Sequence, residues 1–138
     1  MNLPATADDP YASTDRRGDR AQAAVTPATA RHTVAELLRQ AGVSLDSVTA
    51  ADALLVTSEL ITNAIRHGGG ITRLRTGIVD GALHLAVSDA NIHTPFARPA
   101  EPEHPGGFGW PLIQRLAERV EISPLADGKT ITIVVRLS

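Results

Sequence analysis

Cysteine is absent from the 138 residues, which excludes disulfides and thiolate metal sites. That absence fits a reducing compartment, and a cytoplasmic location is expected. Aromatic residues make up only 3% of the chain. The core must then be built mainly from Leu, Ile, Val and Ala, and the scarcity argues against base-stacking platforms for single-stranded nucleic acid. Excess charge is lacking too. A formal net charge of −2 gives no support to a polyanion-binding surface, so no direct nucleic-acid partner is expected. No stretch approaches the roughly 18 continuous apolar residues of a membrane span. The first twenty residues hold no apolar run suited to a signal peptide, and no membrane role is expected.

What is present suits one domain with a single core. Hydrophobic residues make up 43% and charged residues 20%, ordinary values for a globular chain. Residues 1–20 mix Pro, Asp, Ser and Arg with little apolar content, and cannot bury enough surface to offset their ordering entropy. They are expected to form a disordered tail ahead of a domain at 21–138. Ala21 to Val25 suits a short edge strand. Thr26-Pro27 then starts a helix, with Thr at the cap and Pro at the first helical position. Val34, Leu37, Leu38 and Ala41 recur at helical spacing until Gly42. Ser44 or Asp46 is expected to start a longer helix, ending at roughly Arg66 before His67-Gly68-Gly69-Gly70.

Two strands are expected next, Ile71–Val79 and Ala82–Ser88, turned at Asp80-Gly81, a strong hairpin signal. Residues 89–107 break every periodic pattern, with Pro95, Pro99, Pro102 and Pro105 before Gly106-Gly107. A loop of that length inside a compact domain is usually a functional lid or a disordered segment. A helix carrying Leu112, Ile113, Leu116 and Ala117 follows, then strands Val120–Ser123 and Thr130–Leu137 turned at Asp127-Gly128. The expected fold class is an α/β (α+β) two-layer sandwich, a mixed, mostly antiparallel sheet covered on one face by about three helices.

Placing the second helix at about 100° per residue puts Leu54, Leu60, Ile61, Ala64 and Ile65 on one broad side. Glu59, Asn63, Arg66 and Asp52 fall on the other. Glu59 and Asn63 lie one turn apart on one face, which suits a solvated surface or a magnesium site. Asn offers a neutral carbonyl oxygen, and Mg²⁺ takes few protein ligands while keeping water and phosphate oxygens. A carboxylate one turn earlier can act as a base. Asp89, at a strand's end, can accept from an exocyclic amine such as that of adenine, or simply start a turn. Gly106-Gly107-Phe108-Gly109-Trp110, directly before a helix, suits either a flexible helix entry or a phosphate cradle at a helix N-terminus. No Gly-Lys-Ser/Thr follows, so it is not a P-loop. His93, His104, Glu101 and Glu103 share the loop, but intervening prolines argue against a metal cluster. Arg73 and Arg75 alternate on a strand and share one side, as a solvated or a partner-binding face.

Taken in order, Ser58-Glu59-Leu60-Ile61-Thr62-Asn63-Ala64-Ile65-Arg66-His67-Gly68, Val87-Ser88-Asp89, Gly106-Gly107-Phe108-Gly109 and Gly128-Lys129-Thr130 resemble the GHKL ATP-binding superfamily. More narrowly, the chain is similar to the small bacterial anti-sigma-factor serine kinases and their actinobacterial regulatory relatives. The resemblance implies a Bergerat-type fold, ATP or ADP with Mg²⁺ as cofactors, and an ATP lid at about 90–106. It implies Asn63 as the magnesium ligand and Glu59 as the base on a serine hydroxyl of a protein substrate. Asp89 would bind the adenine amine, with Thr130 helping through water; Gly107 and Gly109 would cradle phosphate. Asn91 would border the nucleotide, standing where the family usually has the Gly of Asp-x-Gly and supplying a residue tolerant of left-handed backbone. Phe108 replaces a usual basic residue and Trp110 a commoner Leu. The implied partners are a sigma factor and an anti-sigma-factor antagonist, with a homodimer as a further arrangement. The expected activity is serine/threonine kinase phosphotransfer to that antagonist; the alternative is a regulatory module acting by protein contacts alone.

Overall fold

The computed structural model describes residues 14–16, 25–93 and 109–137. The first helix, α1 (Pro27–Gln40), is set by its cap. The Thr26 hydroxyl accepts the Thr29 N–H at 3.1 Å, and the Thr29 hydroxyl accepts the Thr26 N–H at 2.8 Å. This reciprocal box satisfies two donors that the helix itself cannot. The helix buries Ala30, Val34, Leu37 and Leu38 and stops at Gly42, whose φ of +81° suits a residue without a Cβ.

The second helix, α2 (Val48–His67), starts later than Ser44 or Asp46, with Ser47 as its cap. Ser47 Oγ accepts the Ala50 N–H at 3.1 Å and donates to the Ser44 carbonyl at 2.6 Å. The Ser44 hydroxyl is spent on the turn before the helix, where it accepts the Asp46 N–H at 3.2 Å. The buried stripe of α2 is Ala50, Ala53, Val56, Thr57, Leu60, Ile61 and Ala64. Ile65 lies outside that stripe at 47% exposure, against the expectation from the helical wheel. Only one sector of the wheel meets the sheet, and Ala64 fills it at that level. By length and mean hydropathy (1.3), α2 could cross a membrane; here its apolar stripe belongs to the core of the domain.

Four long strands follow in two hairpins: β2 (Ile71–Val79) with β3 (Ala82–Asp89), and β4 (Arg119–Leu125) with β5 (Gly128–Arg136). A short helix, α3 (Gly109–Leu116), precedes β4. Asp80 and Gly81 have φ of 52° and 71°, the primed turn that matches the twist of the flanking strands. A short strand, β1 (Thr14–Arg16), within the stretch expected to be a tail, pairs with β2. Val25 is irregular, and the rest of the strand expected at 21–25 lies outside the described residues. The sheet order is β1-β2-β3-β5-β4, and every described pairing is antiparallel.

Alternation sends Leu83, Leu85 and Val87 of β3 toward the helices, opposite Val135, Ile133 and Ile131 of β5. A register shift between Ile71 and Arg73 lets Ile71 pack on the same core as Leu74. Trp110 and Ile113 of α3 complete it. The fold is a mixed α/β architecture with an antiparallel sheet partly covered by helices, consistent with a Bergerat-type ATP-binding fold.

The second hairpin turns on Ala126 and Asp127 rather than on Asp127-Gly128; Gly128 already pairs with Leu125. Its backbone lies so close to β3 that a Cβ would overlap the Asp89 carbonyl oxygen. Gly128→Ala is therefore expected to destabilise the fold by about 1–3 kcal/mol through overpacking against backbone. A lowered urea midpoint at unchanged m-value would register it.

Candidate functional site

Three segments meet at one end of the sheet: the C-terminal half of α2, the end of β3 with the residues after it, and the start of α3. Glu59 and Asn63 are half-buried on α2, one turn apart. The first residue of α3, Gly109, is buried against both. A Cβ there would lie 2.5 Å from Glu59 Oε2 and 3.4 Å from Asn63 Oδ1. The surface that the helical wheel left open as solvated is thus the floor of a junction between two helices. At that junction the N-terminus of α3 offers free N–H groups and the positive end of its dipole.

Among the described residues, no hydrogen bond or ion pair holds the Glu59 carboxylate. Asn63 Nδ2 is buried without a hydrogen-bond partner. A buried polar atom left unpaired is costly and asks for an explanation, such as a partner arriving from outside the chain. Because the two ends of an amide exchange by rotation about χ2, the same side chain can present oxygen at that point. A carboxylate, an amide oxygen and a helix N-terminus form a donor set suited to a hard cation beside phosphate oxygens, so these residues fit a magnesium-nucleotide.

Asp89 is at the other end of the junction, and its surroundings differ from those of a waiting acceptor. Its side chain is 2% exposed and paired with Lys129, itself 5% exposed. Lys129 Nζ stands 3.0 Å from each of the two carboxylate oxygens and donates to the Asn91 carbonyl at 3.1 Å. Asp89 Oδ1 also accepts the Asn91 N–H at 3.0 Å. Behind it, a Cβ on Gly68 would lie 2.6 Å from Asp89 Oδ2, so the glycine that ends α2 makes room for the carboxylate. The Ala90 N–H donates to the Gly68 carbonyl at 2.9 Å, closing the seam between α2 and β3.

Asn91 does not use left-handed backbone; among the described residues the only non-glycine with positive φ is Asp80. It holds the turn by its side chain instead. Its Nδ2 donates to the His67 carbonyl at 2.5 Å, and its Oδ1 accepts the His93 N–H at 2.9 Å. The amide thereby satisfies a carbonyl at the end of α2 that helical bonding leaves open. Thr130 is not brought to Asp89. Paired strands alternate faces, and Thr130 sits opposite Ser88, hydroxyl to hydroxyl at 2.7 Å. The residue that shares Asp89's face is Lys129, which the sequence reading passed over; only the β3–β5 register reveals it. Arg73 and Arg75, paired with Ser88 and Ala86, lie on the sheet face away from the helices. Gly107, Phe108 and the stretch from 94 to 106, with His104, Glu101 and Glu103, lie outside the described residues. Among the described residues, no three or more His, Asp and Glu side chains gather into a metal cluster.

A model of the histidine kinase-like ATPase domain matches residues 20–135. The chain belongs to that family. It is 31% identical over 116 residues to an anti-sigma F factor of Geobacillus kaustophilus, covering 74% of this chain and 78% of the relative. The histidine kinase-like ATPase domain described here is thus related to anti-sigma-factor regulatory proteins. Among solved structures it matches the histidine kinase domain of a blue-light activated histidine kinase from Erythrobacter litoralis, at 23% identity and a TM-score of 0.47 over 64% of this chain. A longer structure of that kinase matches at 25% identity and a TM-score of 0.46 over 65% of this chain. The chain spans 45% and 31% of the length of those two structures.

Proposed function

We propose that this chain is an anti-sigma factor that binds magnesium-ATP or ADP and phosphorylates a serine or threonine of an anti-sigma-factor antagonist. The observation that carries this reading is the convergence of Glu59, Asn63 and Gly109 from two helices on one point. Asn63 would hold the metal, and the backbone start of α3, with Gly107 before it, would cradle phosphate. Asp89, at the far end of the same junction, would face the base. Glu59 would take the proton of the substrate hydroxyl. The magnesium ion would supply charge neutralisation on the transferring phosphates. The similarity to an anti-sigma F factor supports a sigma factor as a protein partner; the antagonist as substrate and a cytoplasmic setting belong to the same proposal. A homodimer is the remaining proposed association.

Calorimetric titration with ATP and ADP, with and without Mg²⁺, tests the nucleotide branch directly. The native chain is expected to bind with magnesium-dependent micromolar affinity. Asn63→Ala is expected to lose at least about tenfold in that affinity, since a contact to a charged group is worth about 1.5–3 kcal/mol. Unchanged affinity in Asn63→Ala would remove Asn63 from the site. A second reading, a module that regulates its partner by protein contacts alone, is favoured by the Asp89–Lys129 pair, which occupies the base-reading carboxylate. It predicts no binding at millimolar nucleotide.

A further inference from the structure

Helix α2 is apolar on more than the face that meets the sheet. Its buried stripe belongs to the core, yet Val48, Leu55 and Ile65 stand on the outer side at 76%, 41% and 47% exposure. Ala51 is exposed between the first two, and Ser58 and Thr62 are partly exposed between the last two. These residues recur at steps of three and four, the seven-residue repeat of a coiled-coil seam. At about 100° per residue they share an arc of roughly 100°, and the seam runs about 26 Å along the helix. No charged residue stands in it. Asp52, Glu59 and Arg66 follow at the same seven-residue interval, as a column along one flank. On the other flank is α1, whose Arg31 Nη1 donates to Ser58 Oγ at 2.9 Å. A surface helix ordinarily turns charge outward, and one that is apolar all round is ordinarily covered.

We propose that this outer seam of α2 is a docking surface for an amphipathic helix of a protein partner, one that carries basic side chains along one flank. The inference rests on the reading above that the chain works on a protein partner, and it names the chemistry of that contact. Seam spacing selects the occupant's shape. A helix with apolar residues at the same repeat sets its knobs over Ala51, Ser58 and Thr62, where the seam is low, between Val48, Leu55 and Ile65. Flank charge selects its sign. Asp52 and Glu59 line the approach, so a lysine or arginine on the facing flank is attracted and a carboxylate repelled. The same column turns away a second copy of this chain. Antiparallel packing pairs Val48 with Ile65, Ala51 with Thr62 and Leu55 with Ser58, which brings Asp52 of each copy alongside Glu59 of the other. The seam also adjoins the candidate site, because Glu59 is one turn past Leu55. A helix docked there stands next to the proposed base.

The test uses two synthetic helical peptides of about eighteen residues, long enough to follow the seam. Both carry Leu at the apolar positions of the repeat; one has Lys along the flank and the other Glu. By fluorescence anisotropy the native chain is expected to bind the Lys peptide at least about tenfold more tightly than the Glu peptide, with a gap that narrows in high salt. Leu55→Glu is expected to lose at least about tenfold in affinity for the Lys peptide. Leu125→Glu, at an exposed apolar position of β4, is expected to lose none. Asp52→Lys is expected to reverse the order of the two peptides, a gain for the Glu peptide that misfolding cannot produce. Equal binding of both peptides by the native chain, or native-like binding by Leu55→Glu, overturns the proposal. So does a dimer in sedimentation equilibrium that Leu55→Glu dissociates, which would give the seam to a second copy. Nucleotide titration is a separate readout: Lys-peptide selectivity in a chain that binds no nucleotide supports this surface and overturns the nucleotide reading alone.

Discussion

Lys129→Ala and Asp89→Ala are each expected to cost about 3–5 kcal/mol of folding stability, the penalty for leaving one partner of a buried pair uncompensated. Both residues are almost wholly buried, and the ion pair joins segments 40 residues apart in sequence. Against a total of roughly 5–15 kcal/mol for a domain, such a loss takes a large share of the stability. The double replacement Asp89→Leu with Lys129→Met is expected to be far milder than the sum, because two apolar groups of similar volume leave no unpaired charge. Urea denaturation of the two single variants and the double gives all three numbers. Single variants that lose less than about 1 kcal/mol would mean that water reaches the pair, and that Asp89 is free to accept from a ligand.

Glu59→Ala is expected to lower phosphotransfer to a cognate antagonist by about 10²–10⁴-fold, the usual contribution of a positioned acid–base group. In the proposed step the serine oxygen forms a bond to the γ-phosphorus as the bond to the ADP oxygen breaks, and Glu59 takes the hydroxyl proton. Its carboxylate suits that work. It is half-buried, unbonded among the described residues, and beside the glycine start of α3 rather than behind a side chain. Nucleotide affinity is expected to change little, because the role given to Glu59 is toward the substrate hydroxyl. Labelling of the antagonist by Mg-ATP, compared between the native chain, Glu59→Ala and Glu59→Gln, measures it. Equal labelling by the variants would exclude Glu59 as the base, and would favour a module that works by protein contacts.

The site was legible in sequence where it depends on one element. Glu59 and Asn63 are four apart on a helix, so helical geometry alone places them on one face. Their meaning was not legible there, because a wet helix surface has the same spacing. Gly109 covers that face in the fold, and it arrives from a different helix 46 residues beyond Asn63 in the chain. Asn91 shows the opposite case. Read as a residue tolerant of left-handed backbone, it instead caps α2 and the loop with its side chain, a use visible only once His67 and His93 are beside it.

Local chemistry determined the elements of this protein. The Thr26-Pro27 start, the Asp80-Gly81 turn and the two strands that flank it are properties of short windows, and all appear where those windows put them. Where windows compete, tertiary packing decided. Ile65 is left at the surface, and Gly128 joins the strand instead of the turn because Asp89's backbone lies against it. The pairing of Asp89 with Lys129 instead of Thr130 belongs wholly to the structure. A shift of one residue between β3 and β5 would exchange the two faces, and only the folded register fixes which side chain meets the carboxylate.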